Sequence, residues 1–462
     1  MRHDLVLGSA RELGTVGLVA GLSGCYAGVL VTTSSFLAAS SEHRAAMGAI
    51  LQVVSTVFIL IAVYVAAVVI VNAVDTVLAG RVTQIALLRL LGARAPSLRG
   101  TVMRGVAVVG ALGAVAGAVA GTLVADVLRV YLVHGGHLPD TSYPITGAWL
   151  AAPVVTITAA SAVAGWAGSR SVLKVSPAAA MSGAAVAGPV TRRVGRIRAA
   201  VSLLMIAFGA LLLLLAMLLG ENGALGGFLV AFFGSVTVST GLLVGARLVI
   251  PGLVGQTGRL LGRTPEARIA GRNAVKDPLR TTRSTMGLVI GVTLVTTFAS
   301  GLTALRQSVH SWPGLSAAQE AQTESSITTT TQVLVAIVVI SSLISAVGFV
   351  STMSLTVIQR RREIGLLRSL GFTRRQVRRM ITLESAALSA TAIGFGIALG
   401  LVFGSVGAQA LVGSQTRGFA WGLPWLVLAG TVVGGFALVV VAARPPARRA
   451  VRVTPVDALR ME

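Results

Sequence analysis

Residues 360–376 of the sequence read RRREIGLLRSLGFTRRQ, and residues 81–97 read RVTQIALLRLLGARAPS. The two stretches and the apolar segments after them align without gaps. The identical positions are Arg81 with Arg360, Ile85 with Ile364, Leu87-Leu88-Arg89 with Leu366-Leu367-Arg368, Leu91-Gly92 with Leu370-Gly371, and Gly121 with Gly400. Farther along, KVSP at residues 174–177 is matched by RVTP at residues 452–455. Matches that recur in one order over this length indicate an internal repeat.

The segments around the repeat are too apolar for a soluble domain. Hydrophobic residues make up 54% of the 462 residues, charged residues 11%, and the mean hydropathy is +0.85. A hydrocarbon core about 30 Å thick is crossed by a helix of roughly 20 apolar residues. The apolar runs predict about ten membrane-spanning helices, near residues 14–38, 48–76, 103–133, 147–168, 199–220, 225–250, 284–306, 331–357, 380–408 and 422–443. The predicted fold is therefore an all-α polytopic membrane protein.

Arginine and lysine are concentrated in alternate connections between these runs. One set of connections holds the basic residues of segments 81–99, 170–198, 259–283, 360–379 and 444–460. The opposite set holds little beyond Arg44, Arg306 and Arg417. The positive-inside rule then predicts a multi-pass protein of the bacterial inner membrane with both termini in the cytoplasm. It also argues against nucleic-acid binding despite the formal charge of +23, because the arginines do not belong to a soluble surface.

The repeat divides the predicted helices into two parallel halves. Each half has four spans with one long cytoplasmic connection in its middle, and spans five and six are an insertion between the halves. We therefore expect a first four-helix permease repeat over residues 1–180, a linker with two additional transmembrane helices over residues 181–260, and a second four-helix repeat over residues 261–462.

The cytoplasmic connection of the second half has the pattern of a helix, a turn and another helix. Apolar residues recur at helical spacing over residues 363–370. Gly371 predicts a left-handed turn at the end of the first helix. Thr373 and Gln376 predict a capping box at the start of the next one.

The first connection is a less regular copy of the same element. It keeps Gly92 but has Arg94 at the cap position, and Pro96 falls in the first helical turn, where proline is compatible with a helix start. Apolar residues in a cytoplasmic segment indicate a partner surface. Two equivalent segments predict a partner with two equivalent sockets, most simply a dimer. The alternative is a basic linker near anionic lipid headgroups.

At these residues the sequence resembles the FtsX-like, MacB-type permease family of ABC transporters. Residues 361–371 are similar to the most recognisable segment of that family, residues 446–460 to its typical end, and residues 267–273 to the approach to span seven. The resemblance covers nearly all of residues 260–462 and, more weakly, residues 1–180. Many members carry a large extracytoplasmic domain after the first span of a repeat, and this chain has none there.

The resemblance implies that the connections near residues 81–100 and 360–380 act as coupling helices on a cytoplasmic ABC ATPase, present as two copies per permease. Carried over residue by residue, the implied ATPase-coupling residues are Gln84, Ile85, Leu88, Arg89 and Gly92 in the first half, and Glu363, Ile364, Leu367, Arg368 and Gly371 in the second. Because Gln84 stands where the family has an acidic residue, we expect the two docking sites to be unequal.

The ATPase itself is expected on a separate polypeptide. A P-loop needs a lysine directly after glycine to reach the phosphates. The lysines of this sequence are Lys174 and Lys276, which follow Leu173 and Val275. We therefore expect no cofactor and no ATPase activity in this chain alone, with ATP and Mg²⁺ bound by the partner.

Three functions are compatible with the sequence. The first is an ATP-driven permease that exports or extracts a hydrophobic or amphipathic molecule, which suits the short outer loops. The second is a mechanotransmitting signalling subunit that regulates an extracytoplasmic protein partner. The third is an ion-coupled secondary transporter. Such transporters usually hold ionisable residues at the membrane midplane, whereas Asp75, Asp126 and Glu384 are expected near the ends of their spans.

The remaining polar residues do not indicate a catalytic or metal site. His134 and His137 fit a solvated turn, and Asp126 and Arg129 fit a local ion pair at helical spacing. The many glycines of the spans predict close helix packing. The sequence does not indicate which residues bind substrate. Pseudo-symmetry points to the groove between the halves, formed by spans one, two, seven and eight.

Overall fold

The computed structural model describes residues 10–40, 82–134, 151–173, 196–260, 278–309, 361–416 and 418–437, with scattered positions between 53 and 74 and at 269 and 272. These residues form α-helices and short turns, without a strand among them, which confirms the all-α prediction. The predicted eighth span, the 174–177 and 452–455 motifs and both termini lie outside the described residues.

The described helices follow one another along the chain with short connections at two places. In order they are α1 (Ala10–Ser40), α2 (Thr56–Asn72), α3 (Val82–Leu90), α4 (Ala95–His134), α5 (Ala151–Leu173), α6 (Arg196–Glu221), α7 (Gly227–Leu260), α8 (Pro278–Val309), α9 (Arg361–Ser369), α10 (Arg374–Val412) and α11 (Trp425–Ala437).

Within the described residues, seven helices are long and apolar enough to cross a membrane: α1, α4, α5, α6, α7, α8 and α10. They coincide with seven of the predicted spans, and α2 and α11 are shorter apolar helices. The chain is therefore a multi-pass membrane protein. The total of ten spans and the division into two four-helix repeats remain predictions.

Two helices are much longer than a bilayer is thick. Helix α4 has 40 residues and α10 has 39. At a rise of 1.5 Å per residue each is about 60 Å long, roughly twice the hydrocarbon core. Each helix is therefore longer than one membrane crossing requires, and the N-terminal end of each is preceded by a short helix, α3 or α9.

The two long helices each pack along one other long helix in the same way. Helix α4 packs on α1, and α10 packs on α8. A Cβ atom at Gly117 would overlap the carbonyl oxygen of Gly21, and one at Gly404 would lie 2.5 Å from the carbonyl oxygen of Thr297. Because only glycine allows the backbones to approach this closely, the prediction of close helix packing is confirmed.

Helices α6 and α7, which the sequence assigns to an insertion, form a hairpin that lies against α10. They pack on each other and on α10, and α7 also contacts α8. At the far end of α10, the segment 413–424 is tied back to the helices. The Gln409 side chain accepts a hydrogen bond from the Ala420 N–H at 2.8 Å, and the Ser300 hydroxyl donates to the Gly422 carbonyl at 2.8 Å.

Two local predictions about charged residues have different outcomes. Asp126 and Arg129 form the expected ion pair on α4, with 2.8 Å between Oδ1 and Nη2. Glu384 lies ten residues inside α10 and is 3% exposed. Because α10 begins before the predicted span at residues 380–408, this residue is still four residues from the start of that span, and its position near the end of the span stays a prediction.

Candidate coupling turns and lateral cavity

Residues 91–94 form repeat turn 1, between α3 and α4, and residues 370–373 form repeat turn 2, between α9 and α10. Gly92 has a φ of 91° and Gly371 a φ of 95°, so both occupy the left-handed region that favours glycine. This confirms the predicted left-handed turn.

The backbone hydrogen bonds of the two repeat turns are the same. In repeat turn 1, Gly92 N–H donates to Arg89 at 3.1 Å and Ala93 N–H to Leu88 at 3.0 Å. Repeat turn 2 has these bonds 279 residues later, the spacing from Arg81 to Arg360, at the same distances. The pattern is a Schellman motif, which satisfies the last carbonyls of a helix. Two copies of the sequence therefore fold into one local structure.

The helices that follow the repeat turns begin differently. In repeat turn 2 the Thr373 hydroxyl accepts from the Gln376 N–H at 3.3 Å, and the Gln376 side chain accepts from the Thr373 N–H at 2.9 Å. This reciprocal pair is the predicted capping box. In repeat turn 1, Arg94 replaces the capping threonine, and nearby Arg99 lies 4.0 Å above the ring of Trp166 on α5. That cation–π contact holds the start of α4 against α5.

Each repeat turn has one apolar face directed into the protein. Leu88 and Leu367 are half-buried and pack against hydrophobic cores that contain Leu98 and Val377 respectively. In repeat turn 2, Phe372 packs against the same core as Leu367. Hydrophobic contacts of this kind commonly accompany a Schellman motif. These leucines fix the turns to the ends of the long helices.

The other apolar face of each repeat turn is exposed. Leu87 and Leu91 are 43% and 83% exposed, and their counterparts Leu366 and Leu370 are 51% and 78% exposed. We call these four residues the outward leucines. Leu370 was among the apolar residues that the sequence marked as needing a partner surface. Leu87, Leu91 and Leu366 were not singled out, because helical spacing alone does not tell which of two neighbouring leucines faces the core.

The structure places the sequence-predicted coupling residues on or beside the repeat turns. Arg89 and Arg368 occupy equivalent half-buried positions, and Gly92 and Gly371 are the turn glycines. Four others, Gln84, Ile85, Glu363 and Ile364, belong to α3 and α9, with side chains outside the described part. Their contact with an ATPase stays a prediction, as does that of Leu88 and Leu367.

A second feature is a cavity of about 320 Å³ within the membrane-spanning helices, which we call the lateral cavity. It lies between α2, α7, α8 and α10. Its lining is largely aromatic and aliphatic and includes Phe58, Ile61, Phe228, Phe232, Ile290, Phe298, Phe395 and Leu399. The substrate groove predicted from pseudo-symmetry is formed by spans one, two, seven and eight. The lateral cavity shares spans two and seven with it, but its other described walls are the insertion helix α7 and span nine.

Aromatic and hydroxyl contacts hold the walls of the lateral cavity together. The rings of Phe58 and Phe298 meet edge to face with centroids 5.4 Å apart, joining α2 to α8. The hydroxyls of Tyr64 and Thr240 are 3.2 Å apart and join α2 to α7. Nothing in the sequence distinguished these residues from those of an ordinary apolar span.

Comparison with known families decides what kind of protein carries these features. The sequence profile described as FtsX-like permease C-terminal matches residues 56–177 and residues 335–455, together more than half of the chain. The chain belongs to the FtsX-like permease family. The two matched segments begin 279 residues apart, at 56 and 335, which is also the spacing of the repeat turns. Two copies of the family domain are therefore present, as the sequence repeat predicted.

Individual relatives match shorter parts of this FtsX-like permease. An uncharacterized ABC transporter permease of Methanocaldococcus jannaschii is 31% identical over 154 residues, which are 32% of this chain and 37% of the relative. The uncharacterized ABC transporter permease YknZ of Bacillus subtilis is 34% identical over 132 residues, 29% of this chain and 32% of the relative. The pyoverdine export ATP-binding/permease protein PvdT of Pseudomonas putida is 36% identical over 147 residues, 31% of this chain and 20% of the relative. The chain thus spans about a third or less of each relative's length.

The described residues of the permease hold no group of three or more His, Cys, Asp or Glu side chains that could bind a metal ion. His134 bonds the Val130 carbonyl of its own helix at 2.8 Å, and His137 lies outside the described part.

Proposed function

We propose that this chain is the membrane permease subunit of an ABC transporter, and that it couples ATP hydrolysis by a separate cytoplasmic ATPase dimer to the export or extraction of a hydrophobic or amphipathic molecule. The observation that carries the proposal is the pair of equivalent repeat turns with exposed outward leucines. Family membership and the names of the relatives support it.

The outward leucines supply the docking contacts in this proposal. Neighbouring exposed leucines on one turn form an apolar patch, and such patches are typical of surfaces that a partner covers. Leu91 and Leu370 occupy equivalent positions on equivalent turns, so the partner presents two equivalent pockets. A dimeric ATPase, two copies per permease, meets that requirement. The inward leucines, Leu88 and Leu367, then transmit force by holding each turn to its core.

The long helices α4 and α10 act as the coupling levers. Each is continuous from a repeat turn through the membrane, and each is packed closely along α1 or α8. Because closely packed helices move as rigid bodies, a displacement imposed at a repeat turn reaches the opposite side of the membrane as a movement of a helix pair. ATP-driven closure of the partner would supply that displacement.

The ATPase belongs to the partner in this proposal. The absence of a glycine–lysine pair in the sequence, together with membership of a permease family, supports a chain that does not bind nucleotide itself. ATP and Mg²⁺ would be held by the partner, and the repeat turns and both termini would lie in the cytoplasm of a bacterial cell.

Affinity purification of the tagged chain from its host membranes, in mild detergent, tests the proposal. We expect a P-loop ATPase to co-purify at about two copies per permease, and ATP hydrolysis in the eluate. The double variant Leu91→Glu, Leu370→Glu places two charges in the docking contacts, and each buried unpaired charge costs several kcal/mol. It should lose the ATPase, whereas the control Leu91→Met, Leu370→Met should retain it.

Recovery of the chain without a nucleotide-hydrolysing partner would contradict the proposal, as would full retention of the ATPase by the glutamate variant. The same preparation must elute as a folded, monodisperse protein, so that loss of the partner is separated from loss of the fold.

A further inference from the structure

The lateral cavity is elongated along the membrane-spanning helices. Its lining residues recur at helical spacing on each wall, from Phe228 to Leu243 on α7 and from Met286 to Leu305 on α8. At 1.5 Å per residue, the stripe on α7 is about 22 Å long and the stripe on α8 about 28 Å. The cavity therefore extends through most of a hydrocarbon core about 30 Å thick.

The shape of the lateral cavity suits a linear ligand. Its described lining residues follow α7 and α8 for about 22 Å and about 28 Å. A linear chain can lie along this elongated slot, whereas a compact ring system would occupy only part of its length. None of the described lining residues is exposed, although outward-facing residues such as Leu112 and Leu203 are both 68% exposed. The slot is thus distinct from the lipid-facing surface of the helices.

The chemistry of the walls matches a hydrocarbon. The hydroxyls of Tyr64 and Thr240 lie against each other, and the Thr297 hydroxyl donates to the Thr293 carbonyl of its own helix at 2.7 Å. The Thr293 hydroxyl has no hydrogen-bond partner in the described part of the chain and adds one donor part-way along the slot. The rest of the lining is dominated by aliphatic and aromatic side chains, which favour an apolar ligand.

One wall of the slot comes from outside the repeated segments. Helix α7 belongs to the predicted insertion, and the matched family segments include neither α7 nor α8. It packs against α8 and α10 and is joined to α2 by the Tyr64–Thr240 contact. Helix α7 therefore forms, together with one side of the α8–α10 pair, the lining of the lateral cavity.

From this geometry we propose that the lateral cavity binds one hydrocarbon chain of a lipid drawn from the bilayer. The headgroup stays at the membrane surface while the chain lies along α7 and α8. The binding does not depend on an ATPase. The role of the bound lipid rests on the proposed transport function. If the lipid is the transported molecule, the substrates are membrane amphiphiles with a linear acyl chain.

Photolabelling of the reconstituted permease tests this binding. The full chain is placed in vesicles of phosphatidylethanolamine and phosphatidylglycerol that contain a phosphatidylethanolamine probe with a diazirine on one acyl chain. After irradiation, labelled residues are mapped by mass spectrometry. We expect labels on lining residues of α2 and α8, such as Ile61 and Ile290.

Two variants fill the slot from different walls. Ser235→Trp adds bulk from α7, and Gly407→Leu adds it from α10, where a Cβ would meet only the Phe228 ring at 3.5 Å. Each should lower labelling of the lining about tenfold, equivalent to about 1.4 kcal/mol of binding free energy. The matched control is Ala210→Trp, on the exposed face of α6, which should leave the labelling unchanged.

Labels confined to outward-facing residues would overturn the proposal. So would lining labels that persist unchanged in both filled variants, provided that each variant keeps the elution volume and unfolding midpoint of the parent. Because no ATPase is present, these outcomes are independent of ATPase docking: the variant Leu91→Glu, Leu370→Glu should label as the parent does.

Discussion

Gly117 is the residue whose size most directly limits how α1 and α4 pack. A Cβ at this position would overlap the carbonyl oxygen of Gly21 and lie 2.8 Å from the backbone nitrogen of Cys25. Since these are backbone atoms, no rotamer change relieves the overlap. We predict that Gly117→Ala destabilises the permease by about 1–3 kcal/mol, as overpacking of a core does, and lowers its unfolding midpoint in detergent.

The neighbouring residue provides the control for that change. Ala116 is exposed on the outward face of α4, so Ala116→Val adds bulk on the same helix without meeting α1. Its unfolding midpoint should stay at the parent value. An unchanged midpoint for Gly117→Ala would mean that the two helices are farther apart than the structure places them.

The structural role of a single residue could be predicted from the sequence where that role depends only on neighbouring backbone atoms. Gly371, Thr373 and Gln376 were identified from the sequence because a left-handed turn and a capping box involve only local atoms. The outward orientation of Leu366 was not, because the phase of α9 is set by its packing on α10 and the core beyond it.

At the scale of the elements, the Schellman motif of repeat turn 2 should determine how well force passes from a partner to α10. Gly371 has a φ of 95°, which costs a residue with a side chain about 1–2 kcal/mol. Asparagine tolerates this region better than other residues do. We therefore predict that Gly371→Val lowers the ATP hydrolysis of the permease–ATPase complex strongly, whereas Gly371→Asn lowers it only slightly.

Gly394 serves as the control, because it lies on the same helix α10 with open space around its Cα. Gly394→Val should leave hydrolysis by the complex near the parent rate. Equal effects of valine and asparagine at position 371 would argue against the backbone conformation as the cause.

The secondary-structure elements also differ in how well their conformation could be predicted from the sequence. The helix–turn–helix form of both connections followed from periodicity and turn residues, and the structure has it in both copies. The segment 413–424 gave no such signal. Its position depends on Ser300 and Gln409, whose bonds to Gly422 and Ala420 join residues that are distant along the chain or in different elements.

For the whole molecule, the sequence predicted membrane spans from composition and a repeat from self-similarity, and both depend on features spread over many residues. It could not predict the lateral cavity. The cavity exists because α7 packs against α8 and α10 while α2 lines the remaining side. This arrangement follows from the tertiary packing of four apolar helices whose sequences are similar in composition. Pseudo-symmetry alone pointed to a different set of walls, since it ignores the insertion.

Orientation in the membrane is the whole-molecule property on which ATPase docking depends. Cys25 is the one cysteine of the sequence, so the variant Cys25→Ala gives a background without reactive thiols. Asn222, in the turn between α6 and α7, and Ser369, beside repeat turn 2, are both exposed. We predict that Asn222→Cys reacts with a membrane-impermeant maleimide in right-side-out vesicles, and that Ser369→Cys reacts only in inside-out vesicles.

This expectation follows from the basic residues around the repeat turns, which the positive-inside rule keeps in the cytoplasm. Labelling of both variants after solubilisation in detergent is the control for thiol reactivity. The reverse pattern would place repeat turns 1 and 2 outside the cell, where no ATP-hydrolysing partner could reach the outward leucines. The docking proposal would then fail, although binding of a hydrocarbon chain in the lateral cavity would be unaffected, because the same helices line the cavity in either orientation.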